Sequence, residues 1–414
     1  MSFRESIHQK IQTPGHLETP SEWVNWSGSL RFSPGALLLP GGEAELANLI
    51  RQAGAANQSV RAVGNGHSST PLVETEDLLV SLEKFQGVEG HNTAEHWATV
   101  QAGMSLKEAG RALLDVGLAM HNLGDVNVQT ISGAIATGTH GTGRSLQNLS
   151  AKLIGVRLVN GFGEVAEITE DQDPDFLQAA RVSLGVLGIF TALKLRLLPA
   201  YQLHRREWCT HMDDCLDHFD SLSRENRNVD FYWYPRSDEA KIRTWDLPGQ
   251  GSPDIPFARL VSEQVGWSYE VLSKERSLKF DEMEYALPAE AGPECFQEVR
   301  KRVKARHRKS VGWRVLYRTV AADDAYLSPA YQRDSVTISL HQNASLPFWE
   351  YFKDIEPIFL DYGGRPHWAK KHTLRAEQLS RLYPMWDRFL EIRRRVDPEG
   401  VFLTPYLRKL LLEE

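Results

Sequence analysis

An α+β architecture in two domains is what this sequence predicts, and three features predict it. Up to about residue 200, strand-like apolar runs alternate with helical patterns, and the series opens as β-α-β. From about Tyr201 the texture changes to short strand-like runs between polar loops, the pattern of an antiparallel sheet with one solvated face. A chain of 414 residues is also longer than one domain usually is.

Taken in order, the run at Ala36 (ALLLP) reads as a strand. The stretch GGEAELANLIRQAGAANQ follows as a helix, with Leu46, Leu49 and Ile50 at helical spacing and acidic residues near its start. The strand VRAVG comes next, then LLVSL (Leu78–Leu82) and WATVQA (Trp97–Ala102). Ser105 to Gly117 is an amphipathic helix closed by glycine. The strands LIGVRLV and GEVAEIT flank the turn Asn160–Gly163, and a helix near Asp175–Leu184 leads to a strand around Ile189–Leu198. In the second half WCTHM, VDFYWYP and KIRTW read as strands before a Pro/Gly-rich loop around Leu247–Pro256. A helix is expected over Gly266–Arg276 and another over Pro293–Lys304. Strands are expected at KFDEMEYALP, GWRVLYRTV and DSVTISLHQ. Phe231, Tyr232, Trp233 and Tyr234 either wall a ligand site or belong to the core.

Bulk properties exclude several classes of function. A net charge of −7 argues against nucleic acid or an anionic membrane as the main partner. No apolar run reaches the roughly 18–20 residues of a membrane span. The opening MSFRESIHQKIQTPG lacks the apolar centre of a secretory signal. Three cysteines (Cys209, Cys215, Cys295) without a CxxC suit a reducing compartment, so a cytoplasmic location is expected. No His/Cys cluster has zinc spacing, and no metal is expected.

Two stretches carry chemistry. VRAVGNGHSST (Val60–Thr70) leaves a strand through Gly64, Asn65 and Gly66 and presents His67, Ser68 and Ser69. Bare N–H groups and small hydroxyls in such a turn make an anion nest, although an ordinary turn has the same composition. A nicotinamide-type G-x-G-x-x-G does not fit, because its third glycine is Ser69 and no convincing helix follows. Asn122–Gly143 (NLGDVNVQTISGAIATGTHGTG) has five glycines, five Ser/Thr hydroxyls and no Lys or Arg. That composition suits backbone lying against a flat, extended, polar ligand. A flexible linker would not hold Val126, Val128, Ile131 and Ile135.

These two blocks, with SLGVLGIFTALKL (Ser183–Leu195), GGRPHWAK (Gly363–Lys370) and DPEGVFLTPYL (Asp397–Leu407), occur in one order along nearly the whole chain. Together they resemble flavoproteins of the vanillyl-alcohol-oxidase (PCMH) type, in the branch of gulono- and arabinono-lactone oxidases and alditol oxidases. The resemblance implies a FAD domain of two α/β parts from residues 1–200, completed by 376–414. A substrate domain over a large antiparallel sheet would cover 201–375. It implies that His67 bonds covalently to the flavin, that Thr130, Ser132, Gly133, Thr137, Gly138 and His140 line the cofactor, and that Gly188 and Ile189 touch it through their backbone. His367 would lie near the flavin.

By the same resemblance Arg318, His341 and Lys370 belong to the substrate site. His341 is the better base, while Lys370 and Arg318 stabilise developing alkoxide charge. The family places a glutamate two residues before that arginine. Here Leu316 stands there, so the substrate carries fewer hydroxyls at that end or Glu284 compensates. Glu284 has its own family match, with structural anchoring as the other reading. Gly124 leaves room for oxygen where dehydrogenases of the group carry a larger residue. The expected activity is a FAD-dependent oxidase taking hydride from an alcohol carbon of a sugar lactone or related polyhydroxy compound, with O2 reduced to hydrogen peroxide. The alternatives are an alditol oxidase, a dehydrogenase with another acceptor, or a flavin-binding protein without turnover.

Overall fold

The computed structural model describes residues 22–252 and 254–412. The reading of the N-terminal MSFRESIHQKIQTPG stretch falls outside them. A short hairpin, Trp23–Val24 with Arg31–Phe32, comes first. Three parallel strands follow, Ala36–Leu38 and Val60–Val63 flanking Leu78–Ser81. The helix Glu43–Ala55 crosses between the first two and buries Leu46, Leu49 and Ile50, as its spacing requires.

A second, antiparallel sheet holds Val165–Thr169, Leu153–Val159, Ile189–Arg196, Trp97–Gln101 and Val88–Asn92, in that spatial order. The polar edge strand Val88–Asn92 (VEGHN) is an addition to the expected set, because an edge strand need not be apolar. Helix Leu106–Asp115 starts on a reciprocal cap between Ser105 and Glu108 and ends before Gly117, whose φ of +77° only glycine adopts freely. Helix Pro174–Ala180 begins on Asp173, whose side chain accepts the Phe176 amide.

The third layer is an eight-stranded sheet ordered Arg259–Trp267, Gln202–His211, Glu239–Asp246, Asn228–Tyr234, Val315–Val320, Ser335–Asn343, Phe280–Pro288 and Arg365–Pro366. Every pairing in it is antiparallel. The expected helix Gly266–Arg276 shrinks to Ser268–Leu272, and RLVSEQVGW forms an exposed edge strand before it. Helix Trp349–Asp361 forms although Pro357 lies inside it.

The expected solvated face of this sheet is not solvated. One face is apolar, with Phe231, Trp233, Tyr317, Ile338 and Met283 in the main core. The other presents Asp230, Arg243, Arg318, Ser339, Glu282 and Glu284, and these too are buried. It stays polar because it is paired internally and faces the functional cavity rather than bulk water. Phe231 and Trp233 are therefore core, and Tyr232 points to the polar side, its hydroxyl donating to Asp125.

The tail returns to the N-terminal sheets. Val60 donates to the Val401 carbonyl at 2.8 Å. Asp397 accepts the Val401 and Phe402 amides at 2.8 and 3.1 Å, which fixes the DPEGVF turn. The buried Arg61 guanidinium donates to the carbonyls of Leu72, Leu184, Gly185 and Phe402. Burial lowers its pKa to about 10, with Asp397 opposing.

Candidate active site

Two cavities meet at one imidazole. The first is a cleft with about 1180 Å³ of empty space between the parallel sheet, the Asn122–Gly143 stretch and the Ser183–Phe190 turn. Gly64, Asn65, Gly66, His67 and Ser68 line it on one side. Thr130, Ser132, Gly133, Thr137, Gly188 and Ile189 line it on the other. The second cavity, about 810 Å³, lies under the polar face of the large sheet. His67, Ser69, Gly124, His140, Glu284, Arg318, His341, His367 and Lys370 line it. Gly138 borders a small adjoining hollow with His140, Glu284 and His367. Every residue that the resemblance gives to cofactor or substrate thus borders these hollows, and His67 belongs to both main cavities.

The local chain explains the placement. The Val60–Val63 strand ends at the two-glycine turn, in which Gly66 has a φ of +68°. At Gly64 an added Cβ would stand 2.1 Å from Thr130 Oγ1, so only glycine lets the two blocks approach. Asn65 Nδ2 donates to the Val128 carbonyl at 2.5 Å, joining the same blocks. The turn is also strapped to PHWAK: Ser69 N donates to Ala369 O and Thr70 Oγ1 to Trp368 O, each at 2.7 Å. That strap brings Lys370 to His67. On its other side the PHWAK segment follows the Phe280–Pro288 strand, with His367 N bonded to Glu284 O at 2.9 Å.

The first cleft fits a flavin dinucleotide. Its donor set is main-chain amides and small hydroxyls, as a pyrophosphate needs, and its long apolar walls suit flat rings. Trp26 stacks on the His67 ring at 5.0 Å and 29°, fixing the imidazole where the cleft opens into the second cavity. Burial, with Lys370 adding to it, lowers the His67 pKa to about 4, so its ring is neutral near pH 7.

The second cavity is organised by two carboxylates, Glu282 and Glu284, two apart on one strand and therefore on one face. Glu284 accepts from Arg318 and from Ser339 Oγ, and lies 2.8 Å from His140 Nε2. Burial alone would raise its pKa. Arg318 and His140 outweigh that and hold the carboxyl well below the usual range. The ligand atoms of His140, Glu284 and His367 lie within 4.8 Å of one another. Arg318 already supplies the positive charge that a metal would otherwise bring to this group.

Glu282 reaches Lys370 Nζ at 2.5 Å and His341 Nε2 at 3.4 Å. The Arg314 carbonyl lies 3.1 Å from His341 Nδ1 and can only accept. Nδ1 therefore carries the proton, and Nε2 keeps a lone pair beside Glu282 in the cavity. Burial lowers the His341 pKa to about 4, with Glu282 opposing and Arg314 and Lys370 adding to the shift. Leu316 also lines the cavity, only 2 % exposed.

Several lining residues are not anticipated from the sequence: Trp26, Gln129, Asp125, Arg276, Glu282 and Arg314. Glu282 has a legible signal, since E-M-E on a strand puts both carboxylates on one face. Asp125 does not. It is held by Arg243 and Arg276, each at 3.1 Å, which are distant in sequence.

The profile of the family described as D-arabinono-1,4-lactone oxidase matches residues 193–253 and 250–410, and that of a FAD binding domain matches 34–169. An L-gulono-1,4-lactone dehydrogenase of Mycobacterium tuberculosis is 36% identical, over 94% of this chain and 99% of that one. A mouse L-gulonolactone oxidase is 28% identical, over 94% and 98%. Among solved structures, cholesterol oxidase from B. sterolicum superposes with a TM-score of 0.86 at 15% identity, covering 97% of this chain and 98% of that one, a likeness of fold. No helix among the described residues is long and apolar enough to cross a membrane. A cofactor cleft built from the FAD-binding half, opening at His67 onto a polar cavity under an antiparallel sheet, accords with both profiles: the chain belongs to the D-arabinono-1,4-lactone oxidase family of FAD-dependent oxidoreductases.

Proposed function

We propose that this protein oxidises an alcohol carbon of a sugar lactone or related polyhydroxy compound, with O2 as electron acceptor and hydrogen peroxide as product. The observation that carries the reading is the position of His67, which borders the cofactor cleft and the cavity holding His341, Lys370 and Arg318 at once. FAD, when bound, supplies the acceptor for the substrate hydride. The chain supplies the rest. His341 Nε2, unprotonated near pH 7, accepts the hydroxyl proton, and Glu282 beside it stabilises the imidazolium that forms. Lys370 and Arg318 oppose the negative charge that develops on the substrate oxygen. Their carboxylate partners hold both cations in place without consuming every N–H, since the Arg318 Nε is buried and has no hydrogen-bond partner among the described residues. Glu284 anchors Arg318 and His140 and so positions the floor of the site.

His67 is proposed as the covalent flavin ligand, because a neutral, stacked imidazole has a nitrogen lone pair to offer. The amides and hydroxyls of residues 64–69, 130–140 and 188–189 are assigned to the cofactor. The chain up to residue 200 with 376–414 forms the cofactor domain in this reading, and 201–375 the substrate domain. No metal takes part, and the free thiols of Cys209, Cys215 and Cys295 suit the cytoplasm. O2 is preferred as acceptor on account of Gly124, which lines the substrate cavity. The relatives' names include both a dehydrogenase and an oxidase.

The test is an anaerobic panel of aldonolactones, alditols and aldoses. A substrate bleaches the visible flavin band, and admission of air then yields one peroxide per turnover. A flavin that no member of the panel reduces refutes the reading, and reduction without peroxide on aeration refutes the choice of acceptor.

A further inference from the structure

The charges lining the substrate cavity do not balance. Each carboxylate there is engaged by a cation: Asp125 by Arg276 at 3.1 Å, Glu282 by Lys370 at 2.5 Å, and Glu284 by Arg318. Asp125 is shared with Arg243, which Asp230 also holds, at 2.6 Å. Arg314 is the cation left over. It lines the same cavity, and among the described residues no carboxylate lies within ion-pair distance of its guanidinium. Its Nε is buried without a hydrogen-bond partner. His67, His341 and His367 do not alter the count, because burial keeps them neutral near pH 7.

Arg314 is also fixed in place. Its guanidinium stacks on the Tyr232 ring, 3.7 Å from the centroid, and the Tyr232 hydroxyl is itself held by Asp125. Stacking occupies the face of the fork and leaves its N–H edges for a ligand. The Arg314 carbonyl meets His341 Nδ1 at 3.1 Å, and the Arg314 charge also acts on the His341 ring, so the cation neighbours the proposed base. Leu316, two residues further on in the strand Val315–Val320, offers no competing acceptor.

We propose that Arg314 forms a carboxylate subsite, so that the preferred substrates are sugar acids, or lactones that bear a carboxylate, rather than neutral polyols. The proposal rests on the reading of the cavity as the substrate site. One surplus positive charge matches one carboxylate, whereas a phosphate monoester carries about −1.5 to −2 at neutral pH and would need a second cation. A planar fork also pairs with a carboxylate through two parallel hydrogen bonds.

The test measures binding apart from turnover. Gluconate and its neutral analogue gluconamide are titrated calorimetrically, under argon, into the FAD-loaded protein, its Arg314→Gln variant and its Arg314→Lys variant. Gluconate is expected to bind wild type about tenfold or more tighter than gluconamide, the size of one charge-assisted contact. Arg314→Gln should bring the two within about twofold, and Arg314→Lys should keep part of the preference because it keeps the charge. Gluconate that fails to bind, binds no better than gluconamide, or keeps its full advantage in Arg314→Gln overturns the proposal. Selective gluconate binding through Arg314 in a protein whose flavin no alcohol reduces would leave the subsite standing and remove the redox reading. Reduction by neutral lactones with no gluconate preference would do the reverse.

Discussion

Leu316 and Glu284 lie on one row of the eight-stranded sheet with Ser339 between them, Leu316 opposite Ser339 and Ser339 opposite Glu284. The carboxylate expected two residues before Arg318 is absent, yet a carboxylate reaches that arginine from two strands away. Glu284 therefore holds Arg318, but it is only 1 % exposed and its oxygens are already engaged, so it does not stand in for a carboxylate that grips substrate hydroxyls. Leu316→Glu places a second carboxylate between Arg314 and Arg318. It should raise kcat/KM for neutral alditols by about tenfold, one hydrogen-bonded contact to a polyol, and diminish any preference for anionic substrates. Steady-state rates on paired alditols and sugar acids decide it; unchanged rates on both would remove Leu316 as a determinant.

His67→Ala should release FAD into the supernatant after acid precipitation, whereas the wild-type pellet should stay yellow. Because the His67 pKa is lowered to about 4, attachment of added FAD to the apoprotein should proceed as well at pH 6 as at pH 8. Absorbance of pellet and supernatant gives both answers.

With His341 as the proposed base, its pKa, lowered to about 4, should set the acid limb of the rate profile. A base must be unprotonated, so kcat/KM should hold from pH 7 down to about 5 and fall as pH passes through 4, well below the ordinary histidine range. Stability should drift in the same direction. His67, His341 and His367, the last lowered to about 3 chiefly by burial, bind fewer protons folded than unfolded below pH 6.5. Their contribution is intact above that pH and is lost as pH falls towards 4. Thermal melts between pH 7 and 4 should show a steady decline in Tm.

Glu282→Gln leaves Lys370 without its carboxylate and His341 without the group that stabilises its protonated form. A fall in kcat of about 100-fold is expected, the lower range for general acid–base help. Since Glu282 raises the His341 pKa, the acid limb should also move to lower pH. Glu282→Asp should restore part of the rate. A lost rate with an unmoved limb would assign Glu282 to folding alone.

Gly124 is tighter than the sequence suggests. An added Cβ would stand 3.1 Å from the His140 carbonyl oxygen and 3.3 Å from Thr139 Cγ2. Gly124→Ala should slow oxygen consumption about tenfold while dye-linked turnover falls less. Equal loss with both acceptors would show that the methyl group acts on substrate binding, through the His140 carbonyl that Arg318 holds at 3.2 Å.

The parts of this molecule that were legible beforehand are those set by short-range pattern. Helix Glu43–Ala55 and strand Leu153–Val159 follow from periodicity, and the turn at Gly64–Gly66 follows from composition. Strand Arg259–Trp267 was hidden because an exposed edge strand shows no buried stripe, and its end at Gly266–Trp267 was absorbed into an expected helix. Within the site, Glu282 was recoverable from strand alternation. Arg314 was not. Its significance lies in having no carboxylate partner among the described residues, and the pairing of Asp125 with Arg243 and Arg276 appears only once residues more than a hundred positions apart are brought together.

The Arg61 clamp bears on when the protein becomes competent. One guanidinium borders the flavin cleft and holds carbonyls at Leu72, Leu184, Gly185 and Phe402, so the cleft has no finished wall until Phe402 exists. A chain stopped before Phe402 would carry a buried cation short of one acceptor. Nucleotide capture thereby waits on the turn that carries Phe402, and chains cut just before it should emerge colourless.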